Sequence, residues 1–222
     1  MDTRHSFSRA LVCGFVLLLL NGASLSTQPA SRALFDGKTL DGWGHVGPGS
    51  FQIKDSMLVT EGGMGLLWYT REKIGRARLR VVFKLAGKES DSGVFIRIPE
   101  KPTEPWMPVN RGYEVEIGDW PDDYSCTGVL YTFTKALARP IHAVGEWNIL
   151  DITIDGPHTL VFLNGIKVTD FTEGQPVPNK HEPIDPDRGP RPDSGYIGLQ
   201  NHPGSQVWFK EISLTPLTLP GS

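Results

Sequence analysis

Thr159-Leu-Val-Phe-Leu-Asn-Gly-Ile-Lys-Val-Thr-Asp-Phe171 reads as two strands folded back on one another. Asn164-Gly165 is the preferred central pair of a type I′ turn, because both central residues must take positive φ. Asp155-Gly156 makes a similar corner just before it. Outward from this hairpin, residues 77–86 form the clearest single strand. Leu79, Val81, Phe83 and Leu85 face one way, and Arg78, Arg80 and Lys84 the other, which is the period of a pleated strand. Similar runs fall near 51–60, 64–69, 92–98, 112–118, 127–133, 146–155, 195–200 and 206–215, punctuated by Gly, Pro, Asn and Asp. No stretch carries a convincing 3.6-residue period. The pattern predicts about eleven strands and no helix. So many strands in so short a chain predict an all-β domain of two stacked antiparallel sheets.

The N-terminus predicts export. Arg4 and Arg9 precede the apolar run Ala10–Leu20, and small residues follow at Gly22, Ala23, Ser24 and Ser26. That is the order of a signal peptide, and the run is short for a bilayer span. Removing residues 1–26 leaves one domain over 27–222, with its core over 34–216 and a periplasmic or extracellular destination. Cys126 is then the sole cysteine, so no internal disulfide staples the fold. The 22 basic and 25 acidic residues give a net charge of −3, without the basic footprint of a nucleic-acid or membrane binder.

Three segments carry unusual polarity: Ser92-Gly-Val-Phe-Ile-Arg97, Gly112-Tyr-Glu-Val-Glu-Ile117 and Gly195-Tyr-Ile-Gly-Leu-Gln-Asn-His202. Alternation puts Glu114 and Glu116 on one face, opposite Tyr113, Val115 and Ile117, and it groups Gln200 with His202. A face bearing carboxylates, an amide and an imidazole, with Arg97 ending a neighbouring strand, suits a polar ligand. The plain alternatives are two surface glutamates, a structural ion pair at Arg97 and a capped loop histidine. Asp119, Trp120, Tyr131 and Trp106 are further candidates for the same cleft, since an aromatic ring packs against the C–H face of a sugar. Two loops stand out: 99–111, with four prolines and Trp106, and 173–194, long enough to be a binding loop or a solvated spacer.

These segments, together with Leu34-Phe-Asp-Gly-Lys-Thr-Leu-Asp-Gly-Trp43, Thr127-Gly-Val-Leu-Tyr131, Gly145-Glu-Trp-Asn148 and Leu163-Asn-Gly165, run in an order that resembles the 3-keto-disaccharide hydrolase domain family. The resemblance implies a concanavalin-like jelly roll of two curved antiparallel sheets, the concave one binding sugar. It also implies hydrolysis of glycosides already oxidised at carbon 3, with a separate oxidoreductase supplying the ketone. A ketone at C3 acidifies the C2 hydrogen, so elimination of the C1 oxygen followed by hydration is the expected route. That route needs a base (Glu116 or His202), a group on the enolate oxygen (Arg97 or a divalent ion) and an acid or sugar clamp (Glu114). A glycosidase using Glu114 and Glu116 on unoxidised sugar and a non-catalytic sugar-binding domain are the alternatives.

Overall fold

The alternation seen along the chain becomes two packed sheets in the computed structural model, which describes residues 29–218. The signal peptide expected over 1–26 lies outside the described residues. The first sheet runs β11 (Ile166–Thr172), β10 (His158–Leu163), β9 (Asn148–Asp155), β6 (Ala77–Leu85), β13 (Val207–Pro216), β4 (Met57–Glu61), β3 (Ser50–Lys54), with β1 (Arg32–Ala33) also paired to β13. The second runs β2 (Trp43–Val46), β5 (Gly65–Tyr69), β12 (Tyr196–Asn201), β7 (Asp91–Ile98), β8 (Tyr113–Gly118). Every pairing is antiparallel. The expected all-β jelly-roll sandwich is what forms.

Between the sheets lie Leu79, Val81, Phe83 and Leu85 of β6, Leu150, Ile152 and Ile154 of β9, and Val161 and Leu163 of β10. Val94, Ile96, Val115, Ile117 and Leu199 meet them from the second sheet. Each such side chain contributes about 1.5–3 kcal/mol on leaving water. Cys126 is a free thiol buried in the same core.

The β10–β11 hairpin closes as read, with Asn164 at φ 50° and Gly165 at φ 80°. The Asn164 amide reaches beyond its own turn, donating to Pro140 O and Asn148 Oδ1 at 2.8 Å each. Three local expectations change. The run 51–60 is two strands, β3 and β4, joined at Asp55-Ser56, both at positive φ. Residues 127–133 form no strand. They lie along the free edge of β8 through Thr127 N–H to Gly118 O, Glu116 N–H to Val129 O and Tyr131 N–H to Glu114 O, until Thr132 at φ 61° turns the chain away. The proline-rich 99–111 segment carries a short helix, α1 (Met107–Arg111), in which Pro108 occupies the first turn where a missing N–H costs nothing.

Helix α1 lies on the face of the second sheet that points away from the main core. Met107 and Val109 pack there with Met64, Leu66, Trp68, Phe95 and Ile98 as a second small core. This covers one end of that face and leaves the other end as a hollow. Among the described residues no helix is long and apolar enough to cross a membrane.

Candidate active site

The hollow is a cavity of about 340 Å³ lined by Asp91, Glu114, Glu116, Gln200, His202, Tyr131, Ser125, Trp106, Val109, Trp120 and Ile184. Its floor is set by strand register. Gly93 of β7 stands opposite Glu116, Phe95 opposite Glu114, and Asp91 opposite Gly118. Partners across an antiparallel pair share a face, so Asp91, Glu114 and Glu116 all point out of the sandwich on the same side. The Glu114 side chain leans along the sheet to lie over Gly93, where a Cβ would stand 2.6 Å from Glu114 Cγ. Glycine at 93 is therefore what admits the carboxyl group. Trp120 folds back over Gly118 in the same way, its indole Nε1 against that Cα.

From the other neighbour, β12 brings Gln200, and His202 follows just past the strand end. Ser92 Oγ donates to Gln200 O at 2.7 Å, and Ser205 Oγ donates to Asp91 O at 2.7 Å, so the two strands are tied at this end. His202 Nδ1 lies 3.7 Å from Asp91 Oδ2.

Electrostatics follow from burial. Glu114 and Glu116 are only 5% and 4% exposed. Burial first, and then the neighbouring acids (Asp91 for Glu114; Glu114 and Asp91 for Glu116), push both well above the ordinary carboxylate range. Burial also raises Asp91, while His202 pulls it back down. Burial beside Glu116 pushes the Tyr131 hydroxyl up to about 12. Glu114 Oε1 and Gln200 Oε1 are buried and take no hydrogen bond from the protein, so both keep bonding capacity for a ligand. The floor can therefore offer a protonated carboxylic acid and a protonated phenol beside an ionisable Asp–His pair. Among the described residues, no three His, Cys, Asp or Glu side chains converge closely enough to hold a metal ion.

Arg97 is not in this cavity, contrary to expectation. Tyr196 pairs with Ile98 and Gly198 with Phe95, so β7 has one extra residue there. Arg97 takes φ 57° in that bulge, and the bulge turns its side chain inward to the end of the sandwich. There it is fully buried, donating to Gly156 O (2.8 Å), Pro192 O (2.9 Å), His158 O (3.1 Å) and Thr159 Oγ1. It closes the sandwich rather than touching a ligand. Asp119 is exposed and outside the cavity lining.

The structure brings together Glu114, Glu116, Gln200, His202, Trp106, Trp120 and Tyr131. The sequence reading missed Asp91, Val109, Ser125 and Ile184. Asp91 precedes Ser92-Gly93 and reads as turn chemistry, though counting back by two from Gly93 would have put it on the ligand face. Nothing local marks Ile184.

Residues 30–215 match the model of a domain described as 3-keto-α-glucoside-1,2-lyase-like. No curated protein matches the chain in sequence. Two candidate glycosyl hydrolases of Parabacteroides distasonis superpose with a TM-score of 0.68, at 22% and 25% identity. The superpositions cover 85% of this chain and 94% and 100% of theirs. The carbohydrate-binding module CBM66 of Bacillus subtilis superposes with a TM-score of 0.55 at 12% identity, over 78% of this chain and 95% of the module.

Proposed function

The chain belongs to the 3-keto-α-glucoside-1,2-lyase-like family, and from that premise we propose that it is an exported enzyme cleaving the glycosidic bond of sugars that carry a ketone at C3. The observation that carries this reading is the gathering of Asp91, Glu114 and Glu116 with His202, Gln200 and Tyr131 in one small cavity.

The C3 ketone makes the C2 hydrogen acidic. His202, with Asp91 3.7 Å away to stabilise the imidazolium, takes that proton, and the electron pair forms the C2–C3 enolate. The Tyr131 hydroxyl and the Gln200 amide N–H donate to the enolate oxygen. Return of the electron pair rebuilds the C3 carbonyl, forms the C1–C2 double bond and expels the oxygen at C1. One of the two buried glutamic acids, held protonated by its surroundings, supplies the proton that the leaving oxygen needs. Water then adds at C1, and C2 regains a proton, giving the free 3-keto sugar. A separate oxidoreductase that makes the ketone completes the sequence of reactions. The basic start and apolar run of residues 4–20 support export.

The test uses a 3-keto-disaccharide, its unoxidised parent and the C2-deuterated 3-keto form. The expected result is turnover of the keto sugar alone, slowed by deuterium at C2, with transient enone absorbance. Cleavage of the unoxidised sugar without an isotope effect would overturn the proposal and leave direct displacement by the glutamate pair. Binding without turnover of any of the three would leave a sugar-binding domain.

A further inference from the structure

The cavity is chemically divided. Its polar groups come from β7, β8, β12 and the segments that flank β8 and follow β12, whereas its exposed apolar lining is Trp106 and Ile184. Ile184 is 63% exposed and Trp106 39%. A lone apolar side chain on a surface needs no explanation. This one lines a cavity with an exposed indole beside a set of chemically active groups.

Ile184 is also held in place. In the 173–194 loop, Asp185 is 4% exposed, and its Oδ2 accepts from the N–H groups of His181 (2.7 Å) and Glu182 (3.2 Å). Arg188 donates to Pro178 O at 2.8 Å and lies over the Phe133 ring. Arg191 stacks on Tyr113 and Phe133 and donates to Gly112 O (2.8 Å) and Asn110 O (2.9 Å). Those last two carbonyls belong to the end of α1, the helix that Trp106 caps. The segment carrying Ile184 is therefore tied through Arg191 to the segment carrying Trp106, and the two side chains line one cavity before any ligand arrives.

A sugar ring against that side of the cavity would bring hydroxyls to Ile184, which has no hydrogen-bonding group in its side chain, and each hydroxyl that loses water there would cost free energy. A flat apolar group has no such cost. The cavity volume sits at the small end of the ~300–1,000 Å³ range of small-molecule sites, which suits one sugar and one compact substituent. Building on the proposed 3-keto chemistry, we infer that Ile184 and Trp106 form an aglycone subsite for a flat apolar group such as a phenyl ring. The preferred substrates are then aryl 3-keto-glucosides rather than 3-keto-disaccharides.

The experiment measures kcat/KM and calorimetric Kd for phenyl 3-keto-glucoside (both anomers), 3-keto-maltose and 3-keto-cellobiose, with the wild type, Ile184→Asp and Ile184→Leu. The expected result is tighter binding of the phenyl glycoside by the wild type. Ile184→Asp weakens that binding about tenfold, as for loss of a small apolar contact, and narrows the gap to the disaccharides, whose hydroxyls then meet a polar side chain, while Ile184→Leu keeps the preference. Equal or better binding of the disaccharides by the wild type would overturn the subsite, as would equal losses on all ligands in Ile184→Asp. Phenyl preference in Kd that is lost in Ile184→Asp, without turnover of any ligand, would uphold the subsite and sink the keto chemistry. Turnover without phenyl preference would do the reverse.

Discussion

The carboxyl group of Glu114 lies over the Cα of Gly93 on the adjacent strand, with its Cγ 2.6 Å from where a Cβ at 93 would stand. This overlap brings Glu114 toward Glu116, the residue directly opposite Gly93, and it is what turns two same-face glutamates into a clustered pair.

Gly93→Ala should therefore remove activity without unfolding the protein. The added methyl drives Glu114 off its position, since the clash is with Cγ rather than only the flexible tip. We expect a stability loss of about 1–3 kcal/mol, the usual cost of overpacking, and a fall in kcat far larger than the change in KM. Urea unfolding and steady-state kinetics on the same preparation check both.

Glu116→Gln and Glu114→Gln bear on the raised protonation of the buried carboxyls. A carboxyl that holds its proton more tightly when folded than when unfolded makes folding take up protons. Its contribution is most favourable below about pH 4.3, the unfolded value for Glu, and is lost as pH rises through the raised folded-state value. The wild type should lose stability over that rise, and each Gln variant should lose less, becoming more stable than the wild type at pH 8. Whichever variant removes the leaving-group acid should also lower kcat by about 10²–10⁴-fold. Unfolding midpoints at pH 5 and pH 8 would contradict this if the variants and wild type moved in parallel.

Tyr131 should act as a donor throughout the neutral range, because burial and Glu116 push its hydroxyl up to about 12. Tyr131→Phe is expected to cost about 10²-fold in kcat, the scale of one lost oxyanion donor, with no change in the pH profile below pH 9. Loss from the variant profile of an ionisation that the wild type shows would argue that the phenol titrates during turnover.

Arg97→Met separates structure from chemistry. The guanidinium is wholly buried and serves the carbonyls of Gly156, His158 and Pro192, so its loss leaves buried acceptors unpaired and should destabilise by about 1–3 kcal/mol. The turnover of the molecules that remain folded should stay within a few-fold of wild type. A large kcat loss at full folding, read from circular dichroism at low temperature, would return Arg97 to the reaction.

Arg191→Ala should loosen the 173–194 loop by removing its bonds to Gly112 O and Asn110 O. Limited proteolysis between residues 178 and 190 should become faster, and KM should rise more than kcat falls. Unchanged cleavage would mean that Arg188 and Asp185 hold the loop by themselves.

Alternation along single strands was enough to assign the all-β class, the β10–β11 hairpin and the shared face of Glu114 and Glu116, because strand period and type I′ turn chemistry act over a few neighbouring residues. The order of seven short motifs was enough to assign the family. Tertiary structure decided the rest. Arg97 left the ligand face because β7 holds one more residue than β12 across their pairing, a mismatch that exists only once the strands are aligned. Asp91 joined the glutamates through its register with Gly118, and Ile184 reached the cavity because Arg191 finds its acceptors some 80 residues earlier in the chain. Local sequence sets which way a side chain points from its own strand, and only packing sets what it then meets.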